Sequence, residues 1–182
     1  MMALTKLTLA GIGGQGSILA GTILGNAAVT YGGGYATQTQ AYSSELRGGF
    51  AATWVIFSDE AIAYPRVVVT DILVAQAQDS IERFTKTLKK GGILIADSDM
   101  VHTMPDIDAT LYTIPATSIA RNTFSAPIVA NIVMLGALTK IAPVAERKCV
   151  EDAIAATVPQ SKIELNIKAF AAGFDAVAPY VK

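Results

Sequence analysis

Apolar positions along the chain come in short blocks punctuated by glycine, and the spacing within the blocks changes from strand-like to helix-like. Leu4–Ala10 is a short apolar run of strand length, broken by Gly11, Gly13, Gly14 and Gly16. From Ser17 to about Val29 the pattern turns helical, so the N-terminal segment predicts a strand, a glycine turn and a helix. Tyr31-Gly32-Gly33-Gly34 stops that helix, and Tyr35–Gln40 predicts a second strand. Phe50–Phe57, rich in β-branched and aromatic residues, predicts a third. Only a short link containing Gly48-Gly49 precedes it, with no room for a crossover helix. That strand is therefore expected to run antiparallel to its neighbour.

Beyond the Ser58-Asp59-Glu60 turn, Val67–Ala75 predicts a buried strand containing Asp71, with Pro65 just ahead of it. Gln78–Lys90 predicts an amphipathic helix, with Ile81, Phe84 and Leu88 on one face and Glu82, Arg83, Lys86 and Lys89 on the other. Gly91-Gly92 is expected to end it. Ile93–Ala96 then predicts a strand leading into Asp97-Ser98-Asp99, and Leu111–Pro115 a last short one. A helical stretch begins at Pro115–Ser118 and is interrupted over Asn122–Pro127. Ile128–Ile141 is apolar almost all round, broken by Asn131, Gly136 and Thr139, which predicts a helix buried in this core or against another chain. Two further helices are predicted, from Pro143 to about Thr157 and over Lys162–Phe174. The alternation implies one domain over 1–182 with an α/β fold: three layers, α/β/α, around a mostly parallel, mixed, Rossmann-like sheet.

Composition narrows the classes. The 182 residues are 52% apolar and 16% charged, with a net charge of −1. No stretch approaches the ~18–20 uninterrupted apolar residues of a membrane span. The apolar excess fits strands buried on both faces and a subunit interface, including self-association of the chain in isolation. A near-neutral balance without a basic patch argues against nucleic-acid binding. Cys149 is the single cysteine, so the chain by itself holds neither a disulfide framework nor a thiolate-bound iron–sulfur cluster. The N-terminus lacks a signal-peptide layout, and a cytoplasmic location is expected.

The candidate chemistry sits in two stretches. Gly11-Ile12-Gly13-Gly14-Gln15-Gly16 fits G-x-G-x-x-G between a strand and a helix. There the glycines allow close backbone approach, and the N–H groups opening the helix form an anion site. A dinucleotide domain also needs an acidic residue at the end of its second strand. Here that strand ends in Gln38-Thr39-Gln40, and the first acidic residue beyond is Glu45. The second stretch, Ala41–Gly49, carries Glu45 and Arg47 before Gly48-Gly49. It is a solvated loop or, beside the glycine turn, part of a ligand site. Asp97-Ser98-Asp99 suits a turn or helix cap better than a metal. His102, the lone histidine, suits a solvated loop. There is no Gly-x-Ser-x-Gly elbow, so no catalytic residue and no metal ligand is assigned.

Taken together, these stretches resemble the gamma subunit of 2-oxoacid:ferredoxin oxidoreductases. The resemblance rests on Gly11-Ile-Gly13-Gly14-Gln15-Gly16 with Ala20-Gly21, and on Tyr42-Ser-Ser-Glu45-Leu46-Arg47-Gly48-Gly49. It extends through Ser58-Asp59-Glu60-Ala-Ile62, Gly91-Gly92, Ile114–Thr117, Asn131 with Leu135-Gly136, and Asn166 with Ala169-Phe170. Where the family often has Tyr-Gly-Pro-Glu, this chain has Tyr42-Ser43-Ser44-Glu45, a departure that leaves Glu45 and Arg47 in place.

The resemblance implies a subunit of a complex that oxidatively decarboxylates a 2-oxoacid with coenzyme A and passes electrons to ferredoxin. The branch looks most like the 2-oxoglutarate or branched-chain 2-oxoisovalerate enzymes, with 2-oxoglutarate the expected substrate and pyruvate the remaining alternative. Thiamine diphosphate and the iron–sulfur clusters are implied on companion alpha, beta and ferredoxin-like delta subunits. On this chain the implied contacts with coenzyme A or a companion are Gly11, Gly13, Gly14, Gln15, Gly16, Glu45, Arg47, Gly48 and Gly49. The rival reading is a stand-alone nucleotide-binding domain, a dehydrogenase or sensor; a third is a purely structural assembly protein whose glycine turn only packs.

Overall fold

A computed structural model describes residues 4–43 and 49–177. Six strands form one sheet: β1 (Thr5–Ile12), β2 (Tyr35–Tyr42), β3 (Phe50–Ser58), β4 (Thr70–Ala75), β5 (Leu88–Asp97) and β6 (Ala109–Ile114), in the spatial order β2-β3-β1-β4-β5-β6. β3 is antiparallel to both β1 and β2, while β1, β4, β5 and β6 pair in parallel. The antiparallel strand expected from the short link before Phe50 is thus present, and the sheet is mixed.

The strands alternate between two cores. Leu7 and Leu9 of β1, Val55 and Phe57 of β3, and Ile72 and Val74 of β4 face a large layer of helices. That layer holds α1 (Ser17–Asn26), α3 (Ala116–Phe124), α4 (Ala130–Ile141), α5 (Arg147–Thr157) and α6 (Ile163–Ala176). Leu73 and Ala75 of β4, with Leu94 and Ala96 of β5, face the other way against Ile81 of α2 (Gln78–Phe84) and Val101. Period-two alternation in strands covered on both sides produces three layers, one much thicker than the other.

Several boundaries differ from the sequence expectation. β1 runs on to Ile12, so Gly11 lies inside the strand opposite Ala51 and the break comes after it. β2 likewise extends to Tyr42. Val67–Val69, expected in a strand, precede it: Val68 and Val69 are 65% and 49% exposed, and β4 begins at Thr70. A β-branched run becomes a strand only where neighbours offer a ladder and a packing surface.

The helix expected over Gln78–Lys90 ends at Phe84. It passes into a 3-10 turn over Thr85–Thr87, where the Thr85 hydroxyl donates to the Ile81 carbonyl and the Thr87 hydroxyl to the Phe84 carbonyl. Leu88, Lys89, Lys90, Gly91 and Gly92 belong to β5, which reaches its regular register against β4 only at Ile93 after a bulge. Asn122–Phe124 belong to α3, which runs on to Phe124. The interruption falls at Ser125–Ala126, followed by a 3-10 turn over Pro127–Val129. α1 closes in a π-helical turn over Ala27–Tyr31.

α4 is a single helix buried along nearly its whole length. Its small and polar residues have specific neighbours. Gly136 lies against the backbone of α6, the Asn131 amide reaches Gly16, and the Thr139 hydroxyl donates to the Leu135 carbonyl. Among the described residues, no helix is long and apolar enough to cross a membrane.

Candidate functional site

The glycine turn joins the carboxyl end of β1 to α1. Gly14 and Gly16 have φ of 95° and 75°, a left-handed conformation that L side chains resist. The Ile12 carbonyl accepts the N–H of Gln15 at 3.1 Å, closing the turn. Gly16 is the N-cap of α1 and supplies no side-chain acceptor, so the N–H groups opening that helix lack a side-chain cap. Gly16 is constrained by α4 and not by the strand. A Cβ there would run into the Asn131 amide, whose nitrogen donates to the Gly16 carbonyl at 3.1 Å.

A pair of glutamines fixes the turn to the end of β4. The Ile12 N–H donates to Gln15 Oε1 at 2.8 Å, and Gln15 Nε2 donates to the Gln76 carbonyl at 3.0 Å. Ser17 donates its hydroxyl to Gln76 Oε1 at 2.7 Å, and the Gln76 N–H donates to the Ala10 carbonyl at 2.8 Å. Gly11 is glycine because a Cβ would sit 2.5 Å from Gln15 Oε1 and 2.8 Å from Ser17 Oγ. Gln15 is thus a structural member of the turn. Gln76, only 3% exposed, is a member the sequence reading missed, since nothing in its local pattern sets it apart from a strand-end residue.

The structure brings the two motif stretches together at one point. The Gly13 N–H donates to the Gly49 carbonyl at 2.7 Å, continuing the β1–β3 ladder past its last paired residues. Glu45, Arg47 and Gly48 lie outside the described residues.

Below the turn, a cavity of about 320 Å³ is lined by Gly14, Gln15, Gln76, Asp97, Thr117 and Arg121, among others. It lies beyond the carboxyl ends of the parallel strands β1, β4 and β5. β1 and β4 are adjacent although β2 and β3 lie between them in sequence, which makes this the position where open α/β sheets bind ligands. Asp97 is 1% exposed, and burial raises its pKa above the usual carboxylate value despite its hydrogen bonds. It accepts the N–H and hydroxyl of Thr117 at 3.2 and 2.6 Å and the N–H of Asp99 at 3.1 Å. Asp99 in turn accepts the N–H and hydroxyl of Ser118. Asp-Ser-Asp therefore caps α3, as a turn-or-cap reading expects.

Among the described residues, no group of three or more His, Cys, Asp and Glu could hold a metal ion. His102 is exposed in a loop, where its backbone N–H donates to Gln78 Oε1. The dinucleotide alternative also loses its geometry. Of the two strands flanking β1 only β4 is parallel to it; β3 is antiparallel and separates β1 from β2, which ends in Gln40-Ala41-Tyr42 with no acidic residue. What remains is a capless helix start, a rigid glycine turn, and Arg121 on the cavity wall: an arrangement suited to holding an anion.

A family model described as pyruvate ferredoxin/flavodoxin oxidoreductase matches residues 6–176. The 2-oxoglutarate synthase subunit KorC of Methanocaldococcus jannaschii is 45% identical over 172 residues, covering 93% of this chain and 92% of that one. Among solved structures, the keto/oxoacid ferredoxin oxidoreductase gamma subunit of Geobacter sulfurreducens superposes with a TM-score of 0.87 at 36% identity, covering 96% of this chain and 99% of that chain. A 2-oxoglutarate:ferredoxin oxidoreductase from Magnetococcus marinus, with 2-oxoglutarate, coenzyme A and succinyl-CoA bound, has a TM-score of 0.88. At 21% identity, over all of this chain and 32% of that one, it shares the fold.

Proposed function

This chain belongs to the pyruvate ferredoxin/flavodoxin oxidoreductase family, and from that premise we propose that it is the gamma subunit of a 2-oxoglutarate:ferredoxin oxidoreductase. The observation that carries the reading is the end-to-end likeness to a 2-oxoglutarate synthase subunit of nearly the same length. The complex would oxidatively decarboxylate 2-oxoglutarate with coenzyme A and deliver electrons to ferredoxin in the cytoplasm. Thiamine diphosphate and iron–sulfur clusters would belong to alpha, beta and ferredoxin-like delta companions. The chain's single cysteine, Cys149, cannot by itself supply the several thiolates that such a cluster takes.

On this chain, the Gly11–Gly16 turn and the Glu45–Gly49 loop would form one surface at a subunit junction. Its N–H groups and Arg47 would hold an anion, either a phosphate of coenzyme A or a companion carboxylate. The hydrogen bond from Gly13 to Gly49 supports this, because it seats the end of the loop on the turn. Arg47 suits either anion through its planar, bidentate fork, and Glu45 would orient it. Gln15 holds the turn's shape, and no residue of this chain acts on the 2-oxoacid.

The test is anaerobic purification of the tagged chain from its host, followed by assay of 2-oxoacid- and coenzyme A-dependent viologen reduction. Co-purifying larger subunits with highest activity on 2-oxoglutarate are expected. A lone, inactive chain overturns the reading, and preference for another 2-oxoacid overturns the branch. Arg47→Ala is expected to weaken assembly or raise the apparent KM for coenzyme A. If neither changes, the junction role fails.

A further inference from the structure

Among the described residues, the β2 edge of the sheet carries none of the devices that normally keep such edges apart. β2 is the edge strand, and it pairs with β3 over eight consecutive residues, Tyr35↔Ser58 through Tyr42↔Ala51, without a register shift. Its sequence, Tyr-Ala-Thr-Gln-Thr-Gln-Ala-Tyr, contains no proline and no charged residue. Edges are usually blunted by lysine, proline, a bulge or a covering element, because a bare ladder is a template for another strand. The backbone parity of this edge follows from one hydrogen bond. The Ser43 N–H donates to the Phe50 carbonyl at 2.9 Å, so residues 35, 37, 39, 41 and 43 exchange bonds with β3. The N–H and C=O groups of Ala36, Gln38, Gln40 and Tyr42 therefore point away from the sheet. Tyr35 and Tyr42, at the two ends, are 50% and 68% exposed.

We propose that this edge pairs with a second copy of the same chain, β2 against β2 in antiparallel register about a two-fold axis through Thr39, joining two six-stranded sheets into one. A symmetric antiparallel pair must place one residue opposite itself. With Thr39 on the axis, every outward-pointing residue meets another: Gln38 faces Gln40 of the second copy and Ala36 faces Tyr42, each pair exchanging two backbone hydrogen bonds. Thr37 then faces Ala41, and Thr39 faces Thr39. No like charges oppose one another in any pair, and no donor is missing. Gln38 is already held in place, its Nε2 donating to Thr53 Oγ1 at 2.9 Å and its Oε1 accepting from Thr22 at 3.1 Å. The edge is thus ordered before it pairs. The inference is independent of the proposed substrate and of the junction at the glycine turn.

The full chain would be examined by size-exclusion chromatography with light scattering at tens of micromolar. A mass twice the 19.0 kDa of the chain is expected. Thr39→Lys sets two ammonium groups opposite each other, and Gln40→Pro deletes an outward donor without touching the β3 ladder. Both are expected to give monomers with an unchanged far-UV spectrum. Thr39→Cys in a Cys149→Ser background supplies a positive readout. Facing residues of this type lie about 4.5 Å apart, within disulfide reach, so mild oxidation should yield a covalent dimer, while Gln38→Cys should cross-link far less. A monomeric wild type overturns the proposal. So does a dimer that survives both edge variants and leaves Thr39→Cys uncross-linked, since it would use another face.

Discussion

Gly136 of α4 and Phe170 of α6 meet backbone to backbone. A Cβ on Gly136 would fall on the Phe170 carbonyl oxygen, and Gly173 stands in the same relation to the Val133 carbonyl. The two helices interlock through reciprocal glycines, so close that neither crossing point accepts a methyl group. Gly136→Ala and Gly173→Ala are each expected to lower stability by about 3 kcal/mol or more, at the upper end of overpacking costs, because the obstruction is backbone that cannot rotate away. Urea unfolding monitored by circular dichroism measures this directly. A loss below about 1 kcal/mol would mean that the helices can slide apart freely.

Gln15→Ala removes the acceptor of the Ile12 N–H and the donor to the Gln76 carbonyl. A cost of about 1–3 kcal/mol is expected, since an interior N–H is left unpaired. The same unfolding measurement checks it.

Gly16→Ala forces a side chain into a left-handed conformation, which costs about 1–2 kcal/mol. It also displaces the Asn131 amide from the Gly16 carbonyl. The double variant Gly16→Ala/Asn131→Ala is expected to be less destabilised than the sum of the single ones, as residues sharing a contact are not additive.

Asp97 predicts a pH dependence. Burial raises its folded-state pKa above the unfolded value of 3.8, so the folded protein binds the proton more tightly than the unfolded chain. The contribution of the neutral carboxyl is full below pH 3.8 and is lost as pH rises through the raised folded pKa. Asp97→Asn, which stays neutral, should flatten the stability profile in that window. Thermal melts from acid to neutral pH would show it, and parallel profiles for the two proteins would contradict it.

Arg121 is exposed on the wall of the cavity that contains Gly14 and Gln15. Arg121→Ala is expected to weaken the apparent affinity of the assembled enzyme for an anionic ligand several-fold while leaving stability within about 0.5 kcal/mol, as for an ordinary surface change. Steady-state kinetics with coenzyme A varied, beside a thermal melt, separates the two effects.

The elements legible in the sequence were those whose signal is local. β1, the glycine turn, β3 and the all-apolar α4 announce themselves through composition and spacing, and the short link before Phe50 foretold the antiparallel β3. Legibility failed where a tertiary neighbour decides. Val67–Val69 look like strand but lack a ladder partner, and Leu88–Gly92 look like a helix end but join β5, where Leu88 pairs with Thr70 of β4 and Gly92 with Ala109 of β6. At the site, the glycines were readable as a motif. Gln76 and Arg121 were not, and Asp97 was readable as a cap and not as a cavity residue, because the sheet order alone brings them beside Gly14 and Gln15.

The position of β1 has a further consequence for how the protein is made. β1 is an interior strand, and the two that flank it, β3 and β4, follow it in the chain and end at Ser58 and Ala75. As the nascent chain leaves the ribosome, Leu7 and Leu9 stay unsheltered until both later strands have emerged. The glycine lock between α4 and α6 cannot engage until Phe170 and Gly173 are out. Until α6 follows, the apolar face of β1, β3 and β4 lacks part of its cover, and transiently exposed apolar surface of that kind is prone to aggregate.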